Sequence, residues 1–152
     1  MIKRTILFTK IGLLCLFLAG CQLAKSVSDN TTQDTKNALL DKYWRLVELN
    51  GKSVEKSELD RQEAHIILKK EENRITGNAG CNSFFGAYTW TAQGVTFSGM
   101  GATRMACPNM EIEDQLLKGL NEIDSYSISQ DHKILSFLQG TKIVAKFEVV
   151  HD

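Results

Sequence analysis

Two cysteines in the body of the chain could do chemistry. Cys81 lies in Gly80-Cys81-Asn82 and Cys107 in Ala106-Cys107-Pro108. A thiol can be a nucleophile, a metal ligand or half of a disulfide. The first use needs a base within hydrogen-bond reach. The three imidazoles, His65, His132 and His151, fall in a strand-like run, a turn and the tail, and nothing in their spacing brings them to a cysteine. The second use favours short spacings such as C-x-x-C, and none is present. Met100 and Met105 could join a thiol in a soft copper(I) set, but methionines in such a run serve better as packing groups. Ser83 lacks the G-x-S-x-G setting of an activated serine. Gly77-Asn78-Ala79-Gly80 lacks the Lys-Ser/Thr of a phosphate loop, and its glycines read as turn geometry. No catalytic residue, metal site or cofactor is expected.

The compartment bears on the third use. Residues 1–20 carry Lys3, Arg4 and Lys10 and no acid, then an apolar run from Ile11 to Gly20. That run is about half of the roughly 20 residues that a spanning helix needs. The pattern is that of a secretory signal. It ends in Leu18-Ala19-Gly20-Cys21, which resembles the lipobox of bacterial lipoproteins. The resemblance implies cleavage before Cys21, a diacylglycerol on its thiol and acylation of the new amino terminus. At about 0.8 kcal/mol per buried methylene, two or three chains anchor stably. Gln22 stands where Asp resembles an inner-membrane retention mark, so the periplasmic face of the outer membrane is favoured if the cell has one.

Cys15 leaves with the signal and Cys21 takes lipid, so Cys81 and Cys107 remain as an even pair in an oxidising compartment. A disulfide follows as the default. It would close a loop of about 27 residues and stabilise by roughly 3.5 kcal/mol in the chain-entropy picture.

The elements that position these residues are short. Residues 21–38 hold the lipidated cysteine and a polar stretch that reads as a flexible tether, with a reach of about 20–25 Å. From residue 39 onward alternating runs begin. Asn50-Gly51 after Tyr43–Leu49 signals a type I′ hairpin turn. Ile66 and Leu68 share one face. Val95 and Phe97 alternate with Thr96 and Ser98 after Gln93-Gly94. Around Gly140 a second hairpin sets Ile143, Ala145, Phe147 and Val149 on one face, against Lys146 and Glu148 on the other. One helix interrupts the strands. Asn109 reads as its N-cap, Glu111, Glu113 and Asp114 as first-turn acids, and Leu116, Leu120 and Ile123 as its apolar stripe. The expected fold is mainly β with one helix (α+β), a small antiparallel sheet of about eight strands curled toward a barrel. It occupies residues 39–152 as one domain.

Composition narrows the partners. The sequence has 18 basic and 18 acidic residues; removing the three basic residues of the signal leaves 15 against 18, a net charge of −3. A mildly acidic body without a Lys/Arg cluster argues against nucleic acid. Phe84, Phe85, Tyr88 and Trp90 read as core or barrel-end groups. Phe84, Tyr88 and Trp90 are also the candidate contacts for a small ligand, since barrels of this size sometimes hold one.

The segments Gly77-Asn78-Ala79-Gly80-Cys81-Asn82-Ser83-Phe84-Phe85-Gly86 and Gly101-Ala102-Thr103-Arg104-Met105-Ala106-Cys107, in that order, resemble the META domain of the HslJ-like family. Trp44-Arg45-Leu46-Val47 with Asn50-Gly51, the helix leucines and the closing hairpin also match, over about residues 40–149. The resemblance implies a compact, β-rich, barrel-like domain with one helix. It also implies bacterial envelope proteins linked to heat or antibiotic tolerance, and it supplies no catalytic residue. The expectation is therefore a non-enzymatic, lipid-anchored envelope protein that supports stress tolerance through an envelope protein partner. The alternatives are a ligand-binding barrel and a protease inhibitor with an exposed loop near Pro108-Asn109.

Overall fold

The computed structural model describes residues 33–55, 62–92 and 94–150. The signal segment, Cys21, most of the tether, Gln93 and His151 lie outside the described residues. Residues Thr35–Asp152 form one compact unit.

Among the described residues are nine strands: β1 (Tyr43–Leu49), β2 (Lys52–Ser53), β3 (His65–Lys69), β4 (Arg74–Asn78), β5 (Ser83–Trp90), β6 (Val95–Ala102), β7 (Ser125–Ile128), β8 (Ile134–Gln139) and β9 (Lys142–Val150). Every strand pair is antiparallel, in the order β6-β5-β4-β3-β1-β9-β8-β7, with the two-residue β2 on β1. Eight strands thus make the continuous sheet, as the alternation predicts. Asn50 and Gly51 have φ of 50° and 81°, the two positive values that a type I′ turn needs.

The sheet curls. Phe97 on β6 meets Phe137 on β8 edge-to-face at 5.3 Å, and Phe137 meets Phe147 on β9 at 5.5 Å. Strands near opposite ends of the sheet touch in this way only across a concave interior. The ends also approach each other at the rim. Trp90 lies 5.6 Å from Tyr126, and a Cβ built on Gly94 would fall 2.6 Å from Ser125 Cα. The result is a mainly β, half-barrel fold around one core that includes Trp44, Ile66, Leu68, Ile75, Phe137 and Phe147. Each large apolar side chain so buried contributes about 1.5–3 kcal/mol.

Among the described residues two α-helices accompany the sheet, where the sequence predicts one. Residues 33–39, α1, are helical, at the end of the 21–38 segment that the sequence reads as a tether. Tertiary contacts hold this polar segment: Leu39 is fully buried, its carbonyl accepts from Trp44 Nε1 at 3.0 Å, and Lys36 Nζ lies 5.3 Å over the Trp90 ring. The second helix, α2 (Glu111–Leu120), buries Leu116, Gly119 and Leu120 and packs on β1 and β9. Its N-cap is Met110, without a side-chain bond. Asn109 sits one residue earlier, although its Oδ1 accepts the Glu111 N–H at 3.1 Å. Ile123 is buried but lies beyond the helix end. No helix among the described residues is long and apolar enough to cross a membrane.

Three register shifts bend the strands, between Leu46 and Glu48, between Phe85 and Ala87, and between Phe137 and Leu138. The shift opposite Phe137 explains why both Val144 and Ala145 are buried, where strict alternation predicts Ala145 alone.

Candidate functional site: the Asn82 clasp

The cysteine segments meet at one end of the half-barrel. Strand β4 ends at Asn78 and β5 begins at Ser83, so residues 79–82 make a tight connection. Within it the Ala79 N–H donates to Asn82 O at 2.9 Å, and the Gly80 N–H to Asn78 Oδ1 at 2.8 Å. Gly80, at φ 102°, supplies the turn. Gly77, predicted with it as a turn residue, lies inside β4 instead. Its missing Cβ leaves room for the Phe84 ring and the His65 carbonyl, which would otherwise stand 2.7 and 2.1 Å away.

Asn82 fills every hydrogen-bonding position it has. Its Oδ1 accepts from Thr103 Oγ1 at 2.7 Å and from the Met105 N–H at 2.8 Å. Its Nδ2 donates to the Met105 carbonyl at 3.0 Å and to Glu113 Oε1 at 2.8 Å. Its backbone N–H donates to Glu113 Oε2 at 2.7 Å. Asn82 and Glu113 are both buried. A buried amide or carboxyl costs free energy unless it is satisfied, and among the described residues no buried side-chain polar atom lacks a partner. The side chain thus pins the segment after β6 and the first turn of α2 to the β4–β5 connection.

Cys81 and Cys107 are disulfide-bonded, with Cα atoms 6.1 Å apart and a separation of 26 positions in sequence. Cys81 is buried and Cys107 partly exposed. The bridge ties down the same segment that Asn82 holds through Met105.

Asn82 belongs to a motif legible in the sequence, without an assigned role. Glu113 is a first-turn acid, as the sequence predicts, and it also faces inward, which its spacing allows. Glu113, Leu116 and Leu120 follow at i, i+3 and i+7, the period of one helix face.

The other candidates are not gathered. His65 is half-buried, stacked on Tyr43 at 4.2 Å, with Nδ1 2.9 Å from Glu63 O. His132 is exposed in a turn at φ 57°. Ser83 points outward, with Oγ 3.4 Å from Asn78 Nδ2. Met105 is exposed, while Met100 packs partly buried against the core. Among the described residues no group of His, Cys, Asp and Glu has metal-site geometry.

Of the aromatic residues expected to contact a ligand, Phe84 and Tyr88 are 2% and 3% exposed and belong to the core. The Tyr88 hydroxyl donates to Lys69 O at 3.0 Å, and burial, with a smaller effect from Asp41, raises its pKa. Trp90 is half-buried at the rim, in edge contact with Tyr88 at 5.4 Å and under Lys36. Open hollows among the described residues lie elsewhere. One of about 410 Å³ is bounded by residues including Arg45, Ser53, Glu63 and Ile112, and one of about 500 Å³ by Thr91, Thr96, Asp124, Ser125 and Gly140. None of Phe84, Tyr88 and Trp90 lines either. On the segment considered as an inhibitory loop, Pro108 is exposed and Asn109 Oδ1 accepts the Glu111 N–H at the start of α2.

Comparison with curated proteins gives no match. Similar solved structures include an NMR structure of a protein from Burkholderia xenovorans, with a TM-score of 0.63 at 22% identity over 79% of this chain and 88% of that one. A second NMR structure has a TM-score of 0.59 at 22% identity over 74% and 92% of the two chains. At that identity the likeness shows the fold alone. The META domain matches residues 37–148, a span that holds both cysteine segments and the helix they are tied to. The chain therefore belongs to the META domain family.

Proposed function

We propose that this META-domain protein is a non-enzymatic, lipid-anchored protein of the cell envelope that supports tolerance of heat or of an envelope-crossing antibiotic through protein contacts. One observation carries the proposal: the groups best suited to chemistry are consumed in holding the fold. The two thiols are joined, and Asn82 and Glu113 satisfy each other. The lipobox at Cys21 supports the anchor and the compartment, and the bacterial envelope setting implied by the family resemblance supports the stress role. Anchoring raises the effective concentration near a membrane-associated partner, so position matters more than any single reactive residue.

The test is complementation of a deletion strain. Deletion should sensitise cells to heat or to the antibiotic, and the anchored chain should restore tolerance. A Cys21→Ser form exported without lipid should restore less. Radiolabelled palmitate should enter the first form and not the second. Equal rescue by both would remove the anchor from the mechanism.

A further inference from the structure

We infer that the outer edge of β6 is a docking site for an extended polypeptide segment with apolar residues at alternate positions and carboxylates among them. The inference rests on the proposal that the protein works by contacts, and it names the face and the chemistry of the partner.

Strand β6 ends the sheet, and among the described residues nothing pairs with its outer edge. Close to Val95 that edge is covered, because Gly94 abuts Ser125. The open stretch is Ser98–Ala102. Monomeric proteins guard such edges with Lys, Pro, inward charges or bulges. Here a bulge at Gly99, φ 61°, is the one device present, and it leaves Met100–Ala102 extended. From Ile75 to Met110 the sequence has no Asp, Glu or Lys, and its single charge is Arg104. The other edge differs: Asp124 precedes β7, and Asp131 and Lys133 follow it.

The exposed apolar groups cluster at the same edge. Among the described residues the large hydrophobic side chains left exposed are Phe85, at 51%, and Met105, at 41%. Phe85 pairs with Gly101 on β6, and its ring would stand 3.0 Å from a Cβ there. The missing side chain lets the ring lie flat at the edge. Met105 projects from a backbone that Asn82 holds at both polar atoms, so it is presented on a fixed stem. Arg104, two residues past the end of β6 and next to Met105 in the chain, is exposed and has no ion-pair partner among the described residues.

An added strand would satisfy the β6 backbone groups with its own and place alternate side chains on Phe85. A carboxylate on it would meet Arg104. A second copy of this chain offers none from its own β6 edge, since no acid occurs between residues 75 and 110. Charge complementarity therefore selects an acidic, alternating apolar segment over pairing of two β6 edges.

The full-length protein in detergent is panned against a phage library of random 12-residue peptides, and the enriched peptides are synthesised. They should alternate apolar residues, carry Asp or Glu, and slow hydrogen exchange across residues 98–105. Phe85→Lys and Arg104→Glu should each weaken binding at least tenfold at unchanged Tm, and Lys142→Glu, away from this edge, should not. No enrichment, basic peptides, protection elsewhere or equal binding by the variants would overturn the proposal. So would a Phe85-dependent dimer in sedimentation, or Phe85-dependent binding of the unlipidated chain to phosphatidylglycerol vesicles, which give the edge to a second copy or to lipid. Tolerance assays separate the two levels. Full rescue of a sensitive deletion strain by both variants sinks the docking site and leaves the contact function standing. A deletion strain without sensitivity sinks the function, and the peptide experiment still judges the edge.

Discussion

Asn82 and Glu113 lie 31 residues apart in the chain and share two hydrogen bonds of 2.7 and 2.8 Å. Through this pair the β4–β5 connection and α2 become one unit. Replacing the Asn82 side chain leaves the backbone N–H bond to Glu113 Oε2 in place but takes away the partner of Glu113 Oε1, Thr103 Oγ1 and the Met105 backbone, and stranding buried polar groups typically costs several kcal/mol. Asn82→Ala should therefore destabilise the domain by about 3–5 kcal/mol. Glu113→Gln keeps the shape and one acceptor oxygen, and should cost about 1–3 kcal/mol. Urea unfolding of the two single variants and the double variant checks this. The double variant should cost less than the sum of the singles, because the Asn82 Nδ2–Glu113 Oε1 bond is already lost in the first.

The disulfide gives a second expectation. Replacing Cys81 and Cys107 by Ser should lower stability by roughly 3.5 kcal/mol and Tm by about 10 °C or more. The variant should still fold, because Asn82 grips Met105 independently of the bridge. Thiol labelling of the folded, unreduced wild-type domain should modify neither cysteine. Labelling of both would contradict the assignment.

Asp124 sets a third expectation. The Gly140 N–H, donating to its carboxyl at 2.9 Å, and the Ser125 hydroxyl hold its pKa below the ordinary carboxylate value. A carboxyl lowered in the folded state contributes stability above its unfolded pKa of about 3.9, and that contribution is lost as pH falls through the folded value. Tm of the wild type should fall between about pH 5 and pH 3, and Asp124→Asn should fall less steeply. The side chain is exposed, so the difference should be small. Identical slopes would remove Asp124 from the acid response.

What could be read in the sequence follows from range. Val95 and Phe97 face inward, and Thr96 and Ser98 outward, because alternation is a property of neighbours. Asn50-Gly51 forms its turn because two positive φ values are a local demand. Helix α1 is not legible because it is held by burial of Leu39 in the core and by Lys36 lying over Trp90, a partner remote in sequence. The burial of Glu113 is not legible because the helix dipole already gives a local reason for an acid there, while its partner comes from another element. The cysteine pairing was legible from parity and compartment. The Asn82 clasp around it depends on three segments meeting, which no local pattern states.

The central claim is that the protein acts through contacts and not through a reacting side chain. The most direct measurement is tolerance in the deletion strain complemented singly with His65→Ala, Ser83→Ala and His132→Ala, with the Tm of each purified chain measured alongside. The account expects tolerance equal to wild type for all three. Loss of tolerance in any of them at unchanged Tm would contradict it and place a catalytic site around that residue.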